Sequence, residues 1–203
     1  MGNGNKVEML IAICAVLTSV IALFVAWDQG RVMRAQQHGA VYPVVQLDGF
    51  VSTHATRRSL GLRLGNSGVG PALIESVTLL ENGQPIDGFE GHRANLPEGY
   101  DLSWTGIVGR ALAPGESVEP VEISWSADAL PEREFYGVAD EWDDLALEIC
   151  YCSVFGRCWT MRGIGTGTDR TRRTKSCERS EHDIFEQLRT TGPQAASQSP
   201  ELE

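Results

Sequence analysis

Residues 60–72 read LGLRLGNSGVGPA, and the following run ALIESVTLL (72–80) closes on Glu81-Asn82-Gly83-Gln84. Leu60, Leu62 and Leu64 alternate with Gly61 and Arg63, the period of a strand with one face turned to a core. Gly65 through Pro71 then interrupt the pattern, and we read them as a turn between two strands. Asn66 and Gly68 are expected at positive-φ or bulge positions, followed by Gly70, with Pro71 entering the next strand. A phosphate-cradling loop is the competing reading, but it needs a following helix and a GxGxxG or Walker lysine, and the stretch has neither. Asn82-Gly83 is the pair that a two-residue hairpin turn demands, because both central residues take positive φ, so a short partner strand is expected at Pro85-Ile86.

The same texture continues in both directions. Val41–Leu47 (VYPVVQL) is expected to be a first strand, with Pro43 near its start or on an edge. Residues 88–117 carry at most one short strand, around Leu102, Trp104 and Ile107. Val118–Trp125 alternates again, setting Val121, Ile123 and Trp125 opposite Glu122 and Ser124. After an irregular acidic loop, Leu145–Tyr151 and Cys158–Arg162 read as a hairpin across residues 153–157. Seven or eight short strands with Gly, Pro, Asn and Asp between them indicate a mainly β domain over residues 41–165, most economically an immunoglobulin-like antiparallel sandwich.

The run from Leu60 to Ala72, with the strand and Asn82-Gly83 after it, resembles the L-x-L-x-N-x-G-x-G-x-A pattern of bacterial extracytoplasmic immunoglobulin-like domains, including CARDB-type modules. It is also similar to a group of uncharacterised bacterial single-anchor membrane proteins with Gly-x-Gly-Pro-Ala soon after an N-terminal helix. The resemblance implies a fold and carries no activity. Neither the sheet-bridging cysteine pair of antibody domains nor their tyrosine corner is present.

Before this domain, residues 9–27 (MLIAICAVLTSVIALFVAW) contain no charge, and only Thr18 and Ser19 are hydroxylated. At about 1.5 Å per residue the run spans roughly 28 Å, close to the hydrocarbon thickness of a bilayer. Trp27 falls at an interfacial position. We expect a transmembrane anchor behind a short N-terminal face (1–8), with the lipid bilayer as its partner. A cleaved signal peptide has a shorter apolar core and a small-x-small site that Phe24–Trp27 does not supply. Lys6 and the α-amine against Arg31 and Arg34 leave the orientation nearly tied. Residues 28–40 read as a helical stalk and 166–203 as a flexible polar tail, with a basic cluster at 169–175 and an amphipathic turn around Ile184, Phe185 and Leu188.

The net charge of -10 comes from 17 basic and 27 acidic side chains, and residues 41–165 hold 8 of the former and 18 of the latter. An acidic domain argues against nucleic acid as a partner. Of the cysteines, Cys152 and Cys158 are placed to face one another across the predicted hairpin, and a disulfide there would put the domain in an oxidising compartment. Free buried thiols are the alternative. A zinc site lacks a CxxC knuckle and a nearby histidine, and no Cys–His arrangement can be read. Asp140, Glu141, Asp143 and Asp144 are weak candidates for Ca²⁺ at the end of the sandwich, the plainer reading being a solvated loop. Trp125 and Trp159 sit in strands and are expected to fill the core. Trp104 and Trp142 are placed in loops, where an exposed binding role is open to them.

Taken together, the sequence leads to a single-pass membrane protein, and the resemblance implies that the membrane is a bacterial inner membrane. The protein's expected role is non-enzymatic binding or assembly with a protein partner at the membrane, without a cofactor. The soluble domain is expected outside the cytoplasm. A cytoplasm-facing sensor is the alternative, and an envelope hydrolase using the acidic loop is the weaker one.

Overall fold

The computed structural model describes residues 4–142, 145–163 and 171–189. Two compact units divide the chain, Met1–Val41 and Tyr42–Glu203. The first is built on helix α1 (Gly4–Gly39), whose large apolar side chains are exposed, Leu23 and Phe24 by three-quarters. Its Val7–Gly39 stretch is long and apolar enough to cross a membrane. The hydroxyls inside the apolar run spend themselves on the helix: Thr18 Oγ1 donates to the carbonyls of Cys14 (2.9 Å) and Ala15 (3.0 Å), and Ser19 Oγ to Ala15 (2.7 Å). That leaves no hydroxyl proton seeking water. Residues 28–39 continue the helix for roughly 18 Å more.

The second unit is mainly β. One antiparallel sheet has the order β1-β2-β7-β5, from strands β1 (Val45–Thr53), β2 (Arg57–Asn66), β5 (Tyr100–Trp104) and β7 (Ser117–Ser126). The other has the order β10-β9-β8-β3-β4, from β3 (Ala72–Glu81), β4 (Gln84–Ile86), β8 (Leu145–Cys152), β9 (Cys158–Gly163) and β10 (Arg172–Thr174), and β6 (Ala111–Leu112) pairs with β3. Register carries the alternation of the sequence across each sheet. Val51, Leu60, Ile123 and Leu102 form one row of the first sheet, and Leu79 and Leu147 stand opposite in the second. Buried side chains of both sheets belong to one hydrophobic core, in which Trp125 and Tyr151 are 1% exposed. Burial raises the Tyr151 phenol above its usual value, against a smaller opposing effect from a backbone hydrogen bond with Val45.

Several elements differ from the expectation. The first strand starts at Val45, beyond Pro43, and runs on to Thr53. Strand β5 includes Trp104, which is not in a loop. The acidic loop before Leu145 contains helix α3 (Glu132–Trp142), with a shorter helix α2 (Glu90–Ala94) earlier in the chain. Phe135, Val138, Ala139 and Trp142 recur at i, i+3, i+4 and i+7, the stripe of a helix laid on a core. Glu132 and Glu134 occupy its first turn, where carboxylates favour the helix dipole. The surrounding acids hide that stripe from a count of composition. Arg58 on β2 fixes the approach to α3, donating to the carbonyls of Ala127 (2.5 Å) and Leu130 (2.8 Å).

The largest correction concerns the expected tail. Residues 171–189 are part of the domain, crossing the six-stranded sheet as a strap. Arg172–Thr174 extend that sheet along β9. Ser180 N–H then donates to the Glu75 carbonyl on β3 (2.9 Å), and Arg179 pairs with the Glu75 carboxylate (2.9 Å). The Asp183 carboxylate accepts from the backbone N–H groups of Ile107 (2.5 Å), Val108 (2.7 Å) and Phe185 (2.9 Å). Ile184, Phe185 and Leu188 enter the core, the Phe185 ring 5.7 Å from that of Phe89. Three apolar residues in a polar stretch suffice because one buried carboxylate satisfies the backbone at the point of entry. Apart from Gly163, which ends β9, the exit expected to be flexible (163–168) lies outside the described residues, as does the polar end at 190–203.

Candidate functional site

The turn that decided the fold is organised by one side chain. Asn66 is buried, and its amide donates to the carbonyls of Gly70 (2.8 Å) and Leu112 (3.0 Å) while its Oδ1 accepts from the N–H of Val44 (3.1 Å) and Gly68 (3.0 Å). Asn66 and Gly68 do not take the positive φ expected of them, and the β2 irregularity lies between Leu62 and Leu64. Gly68 is required for a different reason: a Cβ there would lie 2.4 Å from the Tyr42 carbonyl oxygen and the Val44 nitrogen. Pro71 leads into β3, which starts at Ala72. Asn82 (φ 51°) and Gly83 (φ 78°) make the hairpin turn between β3 and β4. These residues are structural, with no arrangement resembling an anion cradle.

Cys152 and Cys158 stand directly opposite in register and are joined, with S–S at 2.04 Å. A second bond joins Cys150 to Cys177, so the strap is covalently attached to β8. Spacing could not reveal this pair, since Cys177 lies 27 residues away in a stretch without strand periodicity. The sulfurs of Cys152, Cys158 and Cys177 lie within 4.8 Å of one another. In the oxidised state all three are consumed in disulfides and offer no thiolate to a metal. Asp140 and Glu141 are exposed on α3, and Asp143 and Asp144 lie outside the described residues.

An apolar cavity of about 250 Å³ lies between the two sheets, against α3. Leu60, Leu62, Val121 and Ile123 form its wall on the four-stranded sheet, and Leu79 and Leu147 face them from the other. Its cause is visible in the registers. Gly49 sits beside Leu62 on β1, and Gly163 beside Leu147 on β9, at positions where a larger residue would fill the interior. Ala139 is the small residue on the facing turn of α3. Two glycines and one alanine, one from each of three elements, leave the volume unfilled. Val51 on edge strand β1 also lines it and is 52% exposed, marking the rim.

The two tryptophans separated as binding candidates part company here. Trp142 ends α3 and lines the cavity, its ring 5.9 Å from that of Phe89 and nearly parallel to it (7°), with the His92 ring edge-on at 6.2 Å. It is therefore half-buried and held, not exposed in a loop. Trp104 pairs with Val121 on the inward side of the first sheet and packs on the core away from the cavity lining.

The family described as "Domain of unknown function (DUF8453)" matches residues 9–160. The chain belongs to that family. No curated protein matches the chain. The DUF8453 match takes in the apolar run of α1, the whole four-stranded sheet, most of the other sheet and nearly all of the cavity wall, and it ends within β9, short of β10. The strap, with Cys177, Asp183 and Phe185, lies beyond it. The DUF8453 segment thus contains Cys150 but not its partner. Among the described residues, no side chain on the cavity lining is an acid, a general base, a nucleophile or a metal ligand. What the lining of this DUF8453 domain can do chemically is exclude water and contact hydrocarbon.

Proposed function

We propose that this chain is a membrane-anchored, non-enzymatic binding module whose domain lies in an oxidising compartment, as in the immunoglobulin-like modules of bacterial envelopes. The cavity is the observation that carries the reading. A preformed apolar space with no reactive side chain favours holding a ligand over transforming one. The exposed apolar helix supports anchorage. Two disulfides in one domain support a compartment where thiols are oxidised, and hence a domain outside the cytoplasm. Two sheets sharing one core support the immunoglobulin-like assignment, although neither disulfide joins the sheets as an antibody-type bridge would. Tethering raises the effective concentration of a partner in or on the same membrane, so the module works with modest intrinsic affinity.

The test places a photoreactive benzophenone side chain at Val51, on the rim, in the full chain expressed in cells. Irradiation should give one saturable adduct of discrete mass. Absence of any adduct from a chain whose cysteines remain oxidised would contradict the reading.

A further inference from the structure

We infer that the cavity takes one acyl chain of a membrane lipid. This rests on the proposed binding module and names its ligand. Size is the first argument. An apolar cavity of roughly 150 Å³ accepts benzene, so about 250 Å³ accommodates on the order of ten carbons, and a whole phospholipid does not fit. Chemistry is the second. Ligand sites normally include a few polar groups that orient the ligand. Leu60, Leu62, Leu79, Val121, Ile123 and Leu147 offer none, and among the described residues the only N–H on the lining side chains is the indole of Trp142. Such a surface discriminates by hydrocarbon length and is indifferent to headgroup. Supply is the third argument. A chain bearing a membrane-length apolar helix is surrounded by acyl chains, which far outnumber any free apolar metabolite near it. The rim fits the same occupant. Val51 lies on β1, whose other edge is unpaired, so a chain can enter between the sheets while its headgroup stays in water.

Affinity should rise roughly fourfold for each methylene buried and level off near ten carbons, where the space is full. Ala139→Leu adds three carbons from a helix that favours leucine, and should displace a matching length of chain, lowering occupancy by more than tenfold on the same scale. Leu62→Ala enlarges the space and should move the plateau to longer chains.

The experiment feeds cells expressing the full chain a fatty acid with a diazirine near its methyl end, which they build into phospholipid. After irradiation the labelled peptides are mapped and the adduct weighed. The expected result is phospholipid on α1 in every variant, and phospholipid on β2, β7 or α3 peptides in the wild type, reduced more than tenfold in Ala139→Leu. Protection of the cysteines from alkylation shows that each variant is folded, and Leu62→Ala gives a change of opposite sign should Ala139→Leu lose that protection. Label confined to α1 would overturn the inference, as would domain label unchanged by Ala139→Leu or an adduct with the mass of free fatty acid. A protein adduct from the Val51 benzophenone with no acyl label on the domain would overturn the lipid assignment alone. Absence of both adducts would overturn the binding reading as well.

Discussion

Both sheets carry exposed ion pairs on their outward faces, Arg162 with Glu148 on the six-stranded one, but the six-stranded sheet adds covalent links. On the four-stranded sheet the outward contacts are exchangeable. Arg63 pairs with Glu119 (2.8 Å) and lies 5.5 Å from the Phe50 ring, which itself rests on Gly61, and Arg57 reaches Glu122 at 3.4 Å. Each of these ionic groups is at least a quarter exposed, where such pairs contribute little. The six-stranded sheet is stapled by two disulfides and crossed by a strap whose far end is buried in the core. One wall of the cavity therefore carries covalent links, and the other is held by packing, hydrogen bonds and exposed ion pairs. Among the described residues, the four-stranded wall is the one without a covalent link.

Four variants probe that contrast, from the largest effect down. Phe185→Ala empties the site where the strap enters the core and should cost about 3–5 kcal/mol, read as a lower midpoint in urea. Cys150→Ser with Cys177→Ser removes the attachment of the strap. Loop entropy for a separation of 27 residues sets the loss at about 3.5 kcal/mol, and proteolysis should then cut first within the strap. Tyr151→Phe tests the junction between the sheets through pH. The folded phenol titrates above its unfolded value of about 10. Its contribution is thus fully present below that value and lost as pH rises through the folded one. The variant should lose this part of the alkaline fall in stability. Arg63→Ala, on the other sheet, should change stability by less than about 1 kcal/mol and leave the disulfides intact. An effect as large as that of the cysteine pair would break the contrast.

How far the sequence announced this arrangement follows the same division. Strands β2, β7 and β8 are legible because each turns one face to the core, so leucine, valine or isoleucine recur at alternate positions; β3 keeps that pattern on either side of a register shift near Ser76, and β9 shows it through Trp159 and Met161. The Asn82-Gly83 turn and the Cys152–Cys158 pair are local, set by residues close in the chain. Helix α3 escapes notice because Glu132, Glu134, Asp140 and Glu141 dominate its composition, although Phe135, Val138, Ala139 and Trp142 keep helical spacing. The strap is illegible for a different reason. Its attachment depends on Cys150, Glu75 and Ile107, which the sequence scatters over earlier strands and loops. Nor can the cavity be read in advance, since its leucines look like ordinary core and its cause is the coincidence in space of Gly49, Gly163 and Ala139.

The central claim is that the oxidised cysteines lock the strap and one wall of the domain, and alkylation in unreduced membranes tests it most directly. Full-length chain is treated with a heavy maleimide under denaturing conditions, before and after reduction, and the mass shift is counted. Of the five cysteines, only Cys14 should react without reductant, and all five after it. Mapping should recover Cys150 linked to Cys177 and Cys152 linked to Cys158. Four additional adducts before reduction would contradict the account, because the strap would then lack its covalent hold and the domain its oxidising surroundings.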